Sequence, residues 1–222
     1  MSLCKMDFTK VKEEIKRQYY TDVDGSHTFD HIERVYNLCV LIAKTEENID
    51  NNVLGLAALL HDIGRKYEGE SRGKLNHAEK GAVLAQEFLE GYGLEKQKID
   101  SITHCIKSHR FRNNIYQDIS PQTIEAKILF DADKLDAIGA VGIGRAFLFA
   151  GKIGAKLHDP NIDINNTKEY TEEDTAYREF AVKLSKIEDK LYTKKGRKLA
   201  ENRHKFMVDF FDRLNREVNG EI

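Results

Sequence analysis

The chain has only two prolines and three cysteines in 222 residues. It also lacks any apolar run near the ~18 residues that span a bilayer. Pro121 and Pro160 both fall where a loop is expected, so neither breaks a periodic segment. Cys4, Cys39 and Cys105 are far apart and fit no CxxC pattern, which excludes a disulfide framework or a thiolate zinc site and reads as a reducing compartment. The opening stretch MSLCKMDFTKVKEE holds no sustained apolar segment, so a cytoplasmic location is expected. An excess of one charge is missing too: 35 basic and 37 acidic residues leave a formal charge of −2. No general field draws nucleic acid or an anionic membrane, and an anionic ligand must be caught locally. Alternating strand patterns, internal repeats and low-complexity tracts are also lacking.

What remains is helical spacing. Phe8, Val11, Ile15 and Tyr19 outline one amphipathic helix, and Val35, Leu38, Cys39 and Ile42 a second. The run from Val53 to Leu60 is rich in leucine and alanine with no β-branched residue after Val53, which favours a buried helix over a buried strand. Further helices are expected at about 75–90, 94–109, 122–137 and 139–149. Two long charged helices close the chain, one striped by Tyr177, Phe180, Ala181, Leu184 and Leu191, the other by Leu199, Phe206, Phe210 and Leu214. The class is all-α. A core over 1–155 followed by a helical extension over 156–222 fits the polar stretch HDPNIDINNTKE, and the extension's stripes suit either packing on the core or a homodimer.

Chemistry concentrates at GLAALLHDIGRKYEGE, where an apolar run ends on His61 and Asp62. The run anchors the backbone, and Gly64 is expected to end the helix so that both side chains face a cavity. A second doublet, His158 and Asp159, precedes Pro160 in an asparagine-rich stretch and reads as a turn. His31, in SHTFDHIERVYNLC, shares the inward stripe of Val35, Leu38, Cys39 and Ile42. In AKILFDADKLDAIG the carboxylates of Asp131, Asp133 and Asp136 crowd an otherwise apolar helix; burial is unfavourable unless a cation or donor compensates them. The glycines of GAVGIGRAF match no phosphate-loop pattern and follow no strand, so they read as close helix packing, with Arg145 still able to reach a cleft.

Taken in order, HIERV, ALLHDIG and DADKLDA resemble the H…HD…D signature of the HD-domain metal-dependent phosphohydrolases, and NHAEKGAVLA and ITHCIKSH resemble segments of its small stand-alone members. The resemblance spans roughly residues 20–150. It implies an HD-type helical bundle in which His31, His61, Asp62 and one of Asp133 or Asp131 bind a divalent metal, with Asp133 preferred. Manganese, iron, nickel, cobalt, zinc and magnesium all suit such a cofactor. His77 and His109 are expected to line the cleft and, with Arg65, to stabilise charge on a phosphoryl group or protonate its leaving group. Arg34, Lys66, His104 and Arg145 are expected to bind substrate, with Arg110 and Arg112 as further cations beside His109. The polar stretch 66–76 reads as a mobile loop that could supply specificity.

The expected activity is therefore hydrolysis of a nucleotide or related phosphate ester by water activated on the metal. The expected partner is a small phosphorylated molecule, with neither nucleic acid nor membrane. Two other classes fit the same residues. One is a di-iron oxygenase, which would use the additional histidines as ligands; the other is a metal- and nucleotide-binding sensor without turnover.

Overall fold

A computed structural model describes residues 7–20, 29–71, 74–110, 119–159 and 161–222. Among them there are helices and no strand, as the absence of alternation requires. No helix among them is long and apolar enough to cross a membrane. The chain divides into two compact units, Met1–Asp133 and Lys134–Ile222.

The first unit is organised around α3 (Asn51–Leu60), whose residues from Val53 to Leu60 are all buried. A helix that is apolar on every side can only be stable with partners all round. Those partners are α2 (Phe29–Ala43), α6 (Lys96–Ser108) and, at one end, α1 (Phe8–Tyr19). Then α5 (His77–Gly91) packs on α6, and the short α4 (Arg65–Glu70) packs on α5. Burying each leucine or isoleucine of this centre contributes roughly 1.5–3 kcal/mol, so α3 is held by its surroundings more than by helix propensity. Its start is fixed by Asp50, whose carboxylate accepts from the backbone N–H groups of Asn52 and Val53 at 3.1 Å each. Lys98 of α6 pairs with the same carboxylate. The Asp50 N–H donates to Glu125 at 2.8 Å, tying α3 to the first turn of α7 (Ile124–Asp136).

At the other end of α3 the chain must turn in little space. The helix ends before Gly64, as expected, and Gly64 is not among the residues with positive φ. The glycine is required instead for close approach: a Cβ there would stand 2.1 Å from the His77 carbonyl oxygen and 2.7 Å from the Gly81 nitrogen. Both are backbone atoms that cannot swing away. The backbone just past His61 and Asp62 is thereby pressed against the start of α5, and the doublet and His77 share one rigid corner. The stretch after Asp62 also differs from the loop expected over 66–76, because its first part is α4. On this helix Glu68 turns inward, where it is 8% exposed.

In the second unit α8 (Gly139–Lys152) packs against α9 (Ala176–Val182) and α10 (Lys194–Val218). The long helix expected from Tyr177 to Leu191 is broken: α9 stops at Val182, and two 3₁₀ turns, Leu184–Lys186 and Glu188–Lys190, follow. Leu184, Ile187 and Leu191 are buried at spacings of three and four, which three-residue turns can serve as well as an α-helix. The stripe expected on the last helix is also displaced. Ala200, Met207 and Phe211 face the core while Phe206 is 50% exposed, because the bulky apolar residues occupy two adjacent faces and only one is covered. Arg112 and Pro160 lie outside the described residues.

Candidate metal centre

Five helices bring their histidines and aspartates to one buried place: α2, α3, α5, α6 and α7. The His61 ring lies at the C-terminal cap of α3 and its Nδ1 hydrogen-bonds the Ala58 carbonyl at 2.8 Å. A carbonyl can only accept, so Nδ1 carries the proton and Nε2 presents a lone pair. His109, the cap of α6, repeats this device with the Ile106 carbonyl at 2.5 Å. His77, opening α5, directs Nδ1 to Glu68 Oε2 at 2.9 Å. Three rings on three helices are thus held in the same tautomer, each with Nε2 turned inward.

These Nε2 atoms meet at distances that neutral rings would not choose. His61 Nε2 is 3.3 Å from His31 Nε2, and His77 Nε2 is 3.2 Å from His109 Nε2. In the second pair both Nδ1 atoms are committed as donors, so two lone pairs face one another, an arrangement that calls for a cation between them. Extra protons do not supply it readily: burial pushes His61 down to about 4 and His77 down to about 3.

The carboxylates complete the set. Asp62 Oδ2 lies 3.6 Å from His31 Nε2 and 3.8 Å from His61 Nε2, while Asp62 Oδ1 lies 3.5 Å from both His77 Nε2 and His109 Nε2. One carboxylate, 2% exposed, therefore stands between two pairs of imidazoles. Asp133 Oδ1 adds a contact of 3.5 Å to His31 and 3.9 Å to His61. Ligand atoms about 2.1 Å from a common ion are roughly 3.0–3.4 Å apart, so the observed spacings are those of a slightly open coordination shell. Two overlapping groups could hold an ion, His31 with His61 and Asp133, and His61 with Asp62 and His109. Mixed imidazole and carboxylate donors, all buried, fit a divalent transition metal.

Burial alone would raise the Asp62 carboxyl, but the Arg65 charge and the neighbouring His61 hold it well below the usual range. Arg65 Nε lies 3.1 Å from each Asp62 oxygen and its Nη1 donates to Glu68 at 2.9 Å. Glu68 also accepts from Arg110 Nη2 at 2.6 Å. Glu68 is a residue sequence reasoning missed: it is one acid among several in a polar stretch, and only the inward turn of α4 marks it. By accepting from His77 it fixes that ring's tautomer and orientation.

Of the other expected site residues, Asp131 is buried but joins neither donor group. Its place two residues before Asp133 on α7 turns it to another side of the helix. His104 faces away from the donors' task, accepting at Nε2 from the Gln122 N–H at 3.1 Å. Arg34 pairs with Asp30 one turn earlier on α2. Lys66 is exposed on α4. Arg145 belongs to the second unit, where Nη1 donates to the Asp136 carboxylate at 2.8 Å. At the second doublet, Asp159 accepts from the Asn161 N–H at 3.1 Å, the side-chain turn read from the sequence.

A helical scaffold that converges six buried histidine and aspartate side chains around shared lone pairs is that of a metal-dependent enzyme. The HD domain model matches residues 28–138, and the chain belongs to the HD-domain family. It is 35% identical over 201 residues to the uncharacterized protein YpgQ of Bacillus subtilis, covering 90% of this chain and 88% of that protein. The crystal structure of YpgQ in complex with ADP superposes with a TM-score of 0.71 at 31% identity, over 96% of this chain and 99% of that one. An HD-superfamily hydrolase from Bacillus thuringiensis superposes with a TM-score of 0.72 at 26% identity, over 96% of each chain. Ribonuclease Y of Thermoanaerobacter pseudethanolicus is 33% identical over 113 residues, 51% of this chain but only 19% of that enzyme.

Proposed function

We propose that the protein is a metal-dependent phosphohydrolase whose substrate is a small nucleotide or a related phosphate ester. The observation that carries this reading is the Asp62 carboxylate, placed with one oxygen toward His31 and His61 and the other toward His77 and His109. In it, His31, His61, Asp62 and Asp133 would hold one divalent ion, and His77 and His109, with Asp62, would hold a second. Such ions supply a water acidified toward neutrality and a Lewis acid for a phosphoryl oxygen. ADP, found with the related YpgQ, has the charge and chemistry that this cluster suits.

The chain's own cations do the remaining work. Arg65 is anchored by Asp62 and Glu68 yet has a side chain 29% exposed, so it can meet a phosphoryl oxygen without being reoriented. Arg110, almost buried against Glu68, adds positive charge behind it. The role of leaving-group acid expected for His77 suits it poorly, because Nδ1 donates to Glu68 and Nε2 is left with a lone pair. As a donor to a cation the same atom is well placed.

The test is phosphate release from nucleoside mono-, di- and triphosphates and from sugar phosphates, assayed with manganese, cobalt, nickel and magnesium. Metal-dependent release of phosphate or pyrophosphate from a nucleotide, abolished by chelation, is the expected result. Oxygen uptake by a form loaded with two irons, without phosphate release, would replace this reading with the oxygenase; tight nucleotide binding without turnover would replace it with a sensor.

A further inference from the structure

Tyr20 closes α1, where its N–H donates to the Lys16 carbonyl at 3.1 Å. Its ring stands edge-on to Phe29, with centroids 5.4 Å apart and planes at 67°. Phe29 opens α2, two residues ahead of His31. The Tyr20 hydroxyl is buried and makes no hydrogen bond among the described residues. It is also within electrostatic reach of the donor cluster: burial raises the phenol well above its ordinary value, the Asp62 charge raises it further, and Arg65 opposes them. The phenol is therefore a buried, unpartnered proton donor that feels the charges of Asp62 and Arg65.

A buried hydroxyl with its hydrogen bond unmade destabilises the fold, and phenylalanine would keep the contact with Phe29 without that penalty. The donor is thus unexplained by packing. Among the described residues the hydroxyl has no acceptor, and a phosphoryl group held near Asp62 and Arg65 would bring anionic oxygens toward it. We infer that Tyr20 is a substrate-contacting residue whose hydroxyl donates a hydrogen bond to a phosphoryl oxygen. The inference rests on the phosphohydrolase reading for the identity of the acceptor.

The experiment compares wild type with Tyr20→Phe in the full chain loaded with manganese. It measures kcat and KM on the nucleotide that the wild type turns over best, the affinity for inorganic phosphate by calorimetry, the melting temperature and the manganese content. The expected result is a fall of about tenfold or more in kcat/KM, the range for a hydrogen bond to a charged group, with phosphate bound correspondingly more weakly. Manganese content should be unchanged, and the melting temperature unchanged or higher. A variant whose kcat/KM and phosphate affinity stay within twofold of wild type overturns the contact and leaves the hydrolase standing. Weakened phosphate binding in a protein that hydrolyses nothing overturns the hydrolase and leaves the contact standing. A fall in activity that tracks a lower melting temperature or lost manganese makes Tyr20 a structural residue, and a wild type that neither binds phosphate nor turns over a nucleotide overturns both readings.

Discussion

Replacing Asp62 by alanine is expected to lower metal-dependent phosphate release by about a thousandfold or more, since the metal supplies several kcal/mol of transition-state stabilisation and each 1.36 kcal/mol is a decade in rate. No other carboxylate in the cluster touches both pairs of imidazoles. Its loss removes a donor from each group at once, whereas the imidazole contacts described for Asp133 are to His31 and His61. The substitution also takes away the anion that Arg65 grips through Nε. His104→Gln is the matching control, because His104 serves the Gln122 backbone instead. Steady-state phosphate release at saturating manganese checks both variants, and activity of Asp62→Ala within tenfold of wild type would refute the shared-carboxylate geometry.

Glu68→Ala is the second large effect and is felt first in stability. Three basic groups converge on this carboxylate: His77 and Arg65 at 2.9 Å and Arg110 at 2.6 Å. The Glu68 and Arg110 side chains are 10% and 5% exposed, so taking away one member of the pair is expected to destabilise the protein by about 3–5 kcal/mol. Denaturant titration measures it. Since Glu68 also sets the His77 tautomer, a remaining folded fraction should be about 10–100-fold less active.

The acid limb of the stability curve gives the same residue a second signature. Burial pushes the Glu68 carboxyl up, but the His77 hydrogen bond and the charges of Arg65 and Arg110 prevail and hold it at about 2, against 4.5 ordinarily. A lowered carboxyl contributes stability in full above its unfolded value, and that contribution declines as pH falls from about 4.5 toward 2. Glu68→Gln, which cannot ionise, should flatten the fall in melting temperature over that interval.

Much of this was legible in the residues alone, for physical reasons that differ by element. A helix buried on all sides, such as α3, writes its burial as an uninterrupted apolar run, and the donor doublet at its end follows from that run. The inward position of His31 is legible because a histidine on an apolar stripe must point inward. Asp133 needed the resemblance as well as the pattern, since DAD offers two aspartates and only helical geometry separates them. Glu68 and Tyr20 are hidden because neither interrupts an apolar pattern: the first is an acid in a polar stretch, the second a tyrosine beside Tyr19, which carries the helix stripe. Gly64 is legible as the end of the apolar helix, but its close approach to the start of α5 is not, because a lack of bulk leaves no mark in one sequence. The break after Val182 escaped notice since apolar spacings of three and four serve both kinds of helix.

The most direct test of the central claim, that His31, His61, Asp62 and Asp133 hold one cation, is manganese content after chelation and equilibrium dialysis at micromolar free metal, for wild type, Asp133→Asn and Asp131→Asn. The account predicts at least one ion per chain in wild type and in Asp131→Asn, with about tenfold or greater loss of affinity in Asp133→Asn. Metal-free wild type, or an Asp133→Asn protein that binds manganese as tightly as wild type, would contradict it.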